Sequence, residues 1–284
     1  MITTAAFPAL VGGYADQVRS RLDAPTETAA TGGLDAAIDL LTRAVEAGAV
    51  IQAFGTGHSE AFAMEIAGRA GGLIPTNKIA LRDLVLRGSR PRDALGGSSL
   101  ERDPTVVEEL WNLSPIGPGD VFVIASNSGV NGSVVGLAIL AKQKGHDVVA
   151  VTSLQHTQQV LPKHPSGRRL CDVADVVVDN LAPYGDATLA LPGVSGAAPA
   201  APRGVQRGSS PLADTAPMSA PADMGAISSI TSAFIAQLLT IGVAERISAD
   251  GWEPPLYLSA NIPGGDAHNA ELERQYEGRI RRGT

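Results

Sequence analysis

The sequence predicts an α/β protein, a three-layer α-β-α sandwich around a central parallel sheet. Three observations carry that reading. Short β-branched runs, VFVIA at 121–125, VVAVT at 148–152 and DVVVDN at 175–180, alternate with longer segments of helical spacing. Strands with no polar face belong to sheets covered on both sides. Glycines such as Gly48 and Gly145 close the helical segments, as left-handed stops do.

Taken in order, residues 8–24 and 27–47 read as two N-terminal helices, with Leu34, Ala37, Ile38, Leu41, Ala44 and Val45 forming one apolar face of the second. AVIQAF at 49–54 reads as a strand. The turn Gly55-Thr56-Gly57-His58-Ser59 then opens a helix running to about Ala70. Residues 76–104 read as a long loop over the mouth of a site, and Arg82, Arg87, Arg90, Arg92 and Arg102 within it as solvated surface. The strand at 121–125 runs into Ser126-Asn127-Ser128-Gly129-Val130-Asn131 and a helix to about Lys144. Two more strands, 148–152 and 175–180, come next. Residues 192–217, rich in Pro, Gly, Ala and Ser, read as a flexible insertion. The remaining C-terminal segment is too short to build a second α/β domain, so residues 1–284 read as one domain.

The stretch 224–244 carries no charge and is long enough to span a bilayer. Ser228, Ser229, Thr231, Ser232, Gln237 and Thr240 dilute it, and it has no aromatic belt or flanking basic cluster. A buried helix, in the core or between subunits, is the expectation.

Composition narrows the function classes. Of 284 residues 44% are hydrophobic and 18% charged, which excludes disorder throughout. A net charge of −7 argues against nucleic acid as a partner. The N-terminus has no basic leader followed by an apolar run. The single cysteine, Cys171, fits a reducing compartment. A cytoplasmic protein with no membrane contact is therefore expected. No His/Cys spacing matches a compact metal motif, and neither a metal nor a cofactor is expected.

The two glycine–serine turns stand at the C-terminal ends of two strands, where backbone N–H groups and helix N-termini favour an anion. Ser59, Ser126 and Ser128 add hydroxyls, Asn127 and Asn131 amides, and Gly57 permits close approach. No GK[ST] is present, and Glu60 stands where GxGxxG requires glycine.

FGTGHSEAFAMEIAGRAGG, GDVFVIASNSGVNGSVVGLAILAKQKGHDVVAVTSLQHT and the ending PLYLSANIPGGDAHNAELERQYEGRI resemble the sugar isomerase (SIS) domain family of phosphosugar-binding proteins. The ending resembles a bacterial single-domain subgroup related to phosphoheptose isomerases and N-acetylmuramic acid 6-phosphate etherases. The resemblance implies a flavodoxin-like fold that takes no nucleotide. It also implies a Ser-x-Ser-Gly-x-Ser/Thr phosphate loop, here Ser126, Ser128 and, as a departure, Asn131. Ser59 matches a further phosphate-contacting serine. Glu65 stands where phosphoheptose isomerases carry a functional histidine, and Arg69 where etherases carry a functional glutamate, so the acid has moved.

The candidate acid–base residues are Glu65, Glu27, His58, His156 and His268, the last in a tail that completes the neighbouring site in SIS dimers; Asp186 is a candidate organiser of a site loop. The implied partner is a phosphorylated amino sugar, on a homodimer with sites near the subunit interface. Abstraction of the C2 proton leads to dehydration of N-acetylglucosamine 6-phosphate, because a 2-acetamido group does not support the simple aldose–ketose shift. An aldose–ketose isomerase and a non-catalytic phosphosugar sensor are the alternatives.

Overall fold

The structure, a computed structural model, describes residues 6–190 and 223–282; the 192–217 insertion lies outside the described residues. Two helices, α1 (Ala6–Ala30) and α2 (Asp35–Glu46), lead into β1 (Ile51–Gly55) and α3 (Glu60–Ile66). The strand β2 (Thr76–Ile79) is followed by three short helices, α4 (Asp83–Leu86), α5 (Ser99–Arg102) and α6 (Val107–Leu113). Then come β3 (Val121–Ala125), α7 (Gly132–Gln143), β4 (Asp147–Thr152), α8 (Leu154–Thr157) and β5 (Val176–Asp179). The described C-terminal part holds α9 (Ser228–Ala249) and α10 (Gly265–Arg274).

The five strands form one parallel sheet in the order β2-β1-β3-β4-β5. Alternation along the strands sorts the core into two layers. Val121, Val123 and Ala125 face one cluster with Leu41, Phe62 and Leu239, from α2, α3 and α9. Phe122 and Ile124 face the other with Leu110, Val134 and Leu137, from α6 and α7. This is the expected three-layer arrangement.

Three boundaries differ from the sequence reading. The first helix does not stop before residue 27: α1 runs through a buried Pro25 to Ala30, and Gly32, at φ 81°, makes the break. The helix after Ser59 ends at Ile66 rather than near Ala70, since Ala67 is already extended. Residues 76–79 form edge strand β2 rather than loop. Thr76 and Asn77 there are buried because the C-terminal tail covers them: Arg282 donates to the carbonyls of Ile74 at 2.6 Å and Thr76 at 2.9 Å, and Arg281 N donates to Asn77 Oδ1 at 2.6 Å.

The uncharged stretch also divides. Residues 223–226 form a strand, β7 (Asp223–Ala226), paired antiparallel with β6 (Ala187–Ala190), Ala190 opposite Asp223. The helix itself starts at Ser228. By length and composition α9 could cross a membrane, but Ile235, Ala236, Leu239 and Val243 pack into the core with α2 and α3. Gly242 makes this contact close, for a Cβ there would lie 2.4 Å from Ile38 Cδ1.

At the N-terminal end of the central strand β3 the buried Asp120 accepts from Val50 N (2.9 Å), Gln52 Nε2 (2.8 Å), Gly117 N (2.9 Å) and Arg279 Nη2 (2.5 Å). One carboxylate thereby joins β1, the start of β3 and the C-terminal tail.

Candidate functional site

Strand order 2-1-3-4-5 reverses direction between β1 and β3, and parallel sheets hold ligands at that point, beyond the strand C-termini. A cavity of about 260 Å³ lies there. Thr56, Gly57, His58 and Ser59 line it from the turn after β1, and Ser126, Asn127 and Ser128 from the turn after β3. Glu101, His156, Asp186 and Ser228 reach it from four other segments.

Each turn has a steric cause. A Cβ on Gly55 would stand 2.1 Å from the carbonyl oxygen of Ser59, so only glycine lets the chain fold back on itself there. Gly129, at φ 63°, closes the second turn, donating its N–H to Ser126 Oγ at 3.1 Å. That leaves the Ser126 hydroxyl proton free to donate. Asn127 Oδ1 accepts from Asn180 Nδ2 at 3.2 Å, and the same amide reaches Ser232 Oγ at 3.3 Å, tying the turn to α9.

Asp186 adopts φ 68° and accepts from Ile227 N (3.1 Å), Ser228 N (2.7 Å) and Ser228 Oγ (2.7 Å). It therefore caps the N-terminus of α9 from a separate loop, offsetting the positive end of that helix. His156 Nδ1 accepts the N–H of Gly185 at 3.0 Å, which puts the ring proton on Nε2. Burial lowers its pKa below the ordinary histidine value, with Asp186 acting in the opposite sense. The ring lies 5.3 Å from that of Tyr184.

Glu101 is the second carboxylate. Asn131 Nδ2 donates to its Oε1, and Oε2 lies 3.5 Å from where a Cβ on Gly57 would stand. Ser133 Oγ holds its backbone carbonyl at 2.9 Å. The lining thus combines serine hydroxyls, the imidazoles of His58 and His156, and two carboxylates, of which Asp186 is engaged by a helix N-terminus. Among the described residues no lysine or arginine lines it. Among the described residues no group of three His, Cys, Asp or Glu side chains is placed to hold a metal ion.

Residues 13–153 match the SIS domain family. A UPF0309 protein of Geobacillus kaustophilus is 34% identical over 247 residues, covering 87% of this chain and 86% of its own. The chain belongs to the UPF0309 family of SIS-domain proteins. A second UPF0309 protein, from Caldanaerobacter subterraneus, is 33% identical over 232 residues, covering 82% of this chain and 83% of its own. Among solved structures, a phosphoheptose isomerase from Francisella tularensis aligns with a TM-score of 0.44 at 15% identity, over 86% of this chain and 100% of that one.

In this SIS domain Gly57, His58, Ser59, Ser126, Asn127, Ser128 and His156 all line one cavity. Asn131 does not; it stands at the N-cap of α7 and serves Glu101. Glu65 is likewise not in the lining: its Oε2 accepts from Arg69 and, at 3.0 Å, from Gln237 Nε2 on α9. Glu27 is exposed within α1, not at the start of a second helix. His268 Nε2 bonds the carbonyl of Leu256 at 3.0 Å, pinning the tail rather than meeting the cavity.

Sequence reasoning missed Glu101. The available signal was topological: the segment between an edge strand and β3 must cross the sheet end that carries both turns. Arginines dominate that segment and mask its carboxylates.

Proposed function

We propose that the cavity binds a 6-phosphorylated amino sugar and that the protein eliminates water from N-acetylglucosamine 6-phosphate. The supporting observation is that the two glycine–serine turns and the Glu101 carboxylate border one cavity. In this reading the hydroxyls of Ser59, Ser126 and Ser128, with the turn N–H groups, hold the phosphate without a cation. The Glu101 carboxylate takes the C2 proton of the open-chain aldehyde. The C2–H electrons move to a C1 enolate, which accepts a hydrogen bond from His156 Nε2–H. As the enolate collapses, the C2–C3 double bond forms and the C3–O bond breaks. The leaving oxygen takes the proton held by Glu101 and departs as water. His58 contacts the sugar at the open side of the cavity. The steps are acid–base chemistry and call for no cofactor.

The same reading places the protein in the cytoplasm as a homodimer. Ile230 and Ile241, exposed on α9, offer an apolar face to a second copy, and His268 of one chain would approach the site of the other.

Incubation with N-acetylglucosamine 6-phosphate, followed by mass spectrometry, tests the proposal. Loss of one water, abolished by Glu101→Gln and retained by Glu65→Gln, is the expected result. An unchanged mass overturns it for this sugar, and a ketose formed from a 2-hydroxy sugar phosphate would make the protein an isomerase.

A further inference from the structure

A larger cavity, of about 450 Å³, lies at the other end of α3 and shares no lining residue with the first. Its walls are the residues after α3, strand β2 with the segment that follows it, and the C-terminal tail. Six cationic side chains line it: Arg69, Lys78, Arg82, Arg87, Arg281 and Arg282. In a chain of net charge −7 such a concentration is the reverse of the overall balance.

The ion pairs do not neutralise it. Arg69 pairs with Glu65, and Arg87 with Asp83 at 3.4 Å. Lys78, at 3.4 Å, and Arg82 share one carboxylate, Glu60. Arg282 meets Glu273 at 3.3 Å, donates to the Tyr257 hydroxyl and spends its remaining donors on backbone carbonyls. Arg281 donates to the Leu113 carbonyl and, among the described residues, meets no carboxylate. Six cations against four carboxylates leave an excess of two positive charges. Burial and the neighbouring Arg87 depress the pKa of Arg281, with Asp83 acting in the opposite sense; the net tension is one that a bound anion relieves.

Charge and shape together select a ligand class. A phosphate monoester carries about two negative charges near neutral pH, matching the excess, and guanidinium groups bind its oxygens in pairs. Ala67, Ala80 and the exposed Met64 supply an apolar wall for a short carbon skeleton. The volume lies within the range of small-molecule sites, about 300–1,000 Å³.

We propose that this cavity is a second ligand site, specific for a small phosphate monoester and separate from the cavity at β1 and β3, with Arg87 and Arg281 as its principal anion contacts. Arg82 and Arg87, which the sequence presents as solvated surface, acquire a task in this way.

Calorimetric titration of the intact protein with inorganic phosphate, at ionic strength held constant with chloride, tests the proposal. Two phosphate ions per chain are expected. Arg87→Ala weakens one of them by at least about tenfold, the loss of a charge-assisted contact, while Ser128→Ala affects only the other. Arg19→Ala, at an exposed ion pair on α1, changes neither. A stoichiometry of one ion sensitive to Ser128→Ala alone overturns the second site and leaves the first intact. A second ion indifferent to both Arg87→Ala and Arg281→Gln overturns it too. Arg87→Ala keeps the test decisive if Arg281→Gln loosens the tail, because the ionic partner of Arg87 is Asp83, four residues away on the same turn of chain.

Discussion

The guanidinium of Arg279 and the fully buried carboxylate of Asp120 meet at 2.5 Å across 159 residues of sequence. Asp120 also receives two backbone N–H groups and the Gln52 amide. Truncating it orphans all four donors. Asp120→Ala is expected to cost about 3–5 kcal/mol, as when one partner of a buried ion pair is removed. Urea denaturation measures this, and a loss below about 1 kcal/mol, the value typical of exposed pairs, would show that the tail contributes little to the fold.

Glu101 and Glu65 separate by kinetics. Loss of a general base lowers turnover by about 10²–10⁴-fold, so Glu101→Gln is expected to fall in that range with an unchanged denaturation midpoint. Glu65→Gln, which trades one hydrogen-bonding partner of Arg69 and Gln237 for another, is expected to stay within a few-fold of the parent. The reverse ranking would return the base to α3.

Gly132 supports Glu101 from beneath. A Cβ there would lie 2.2 Å from the Arg102 carbonyl oxygen and 2.8 Å from Pro104 N, so Gly132→Ala must push that segment, and Glu101 with it, away from the cavity. Turnover is expected to fall along with stability. Gly145→Ala meets nothing within 4 Å and bears only the strain of φ 84°, about 1–2 kcal/mol, with kinetics preserved. Equal kinetic effects from the two changes would count against the positioning role.

His156 makes stability depend on pH. Its folded pKa lies below 6.5 because burial disfavours the imidazolium, so the unfolded chain binds more protons in that window. The contribution is fully present above pH 6.5 and is lost as pH falls through the folded value. The denaturation midpoint is expected to decline below pH 6.5, and less steeply in His156→Gln. His164, shifted the same way by burial, accounts for slope that remains. An identical pH profile in His156→Gln would remove this histidine from the account.

How far each segment is legible in the sequence depends on what it touches. Strand β3 can be read because both its faces are apolar, and each turn because its strand and helix are adjacent in sequence. Strand β2 cannot, since TNKI has no strand pattern; its buried Thr76 and Asn77 are satisfied by a tail about 200 residues away. Pro25 suggests a helix end, but it is buried in the continuing α1, so tertiary packing overrides its local cost. Glu65 is near the first turn in sequence, whereas α9, distant in sequence, supplies its partner Gln237. Glu101 reaches the cavity through the crossover between β2 and β3, a relation that no local pattern encodes.

The pairing of Ala190 with Asp223 at the end of β6 and β7 sets the two residues that flank the 191–222 stretch side by side. Spanning two adjacent points with a longer or shorter connection changes the closure entropy only slowly. A reporter domain whose own termini lie close together could therefore be joined between these two points without altering the register of either strand.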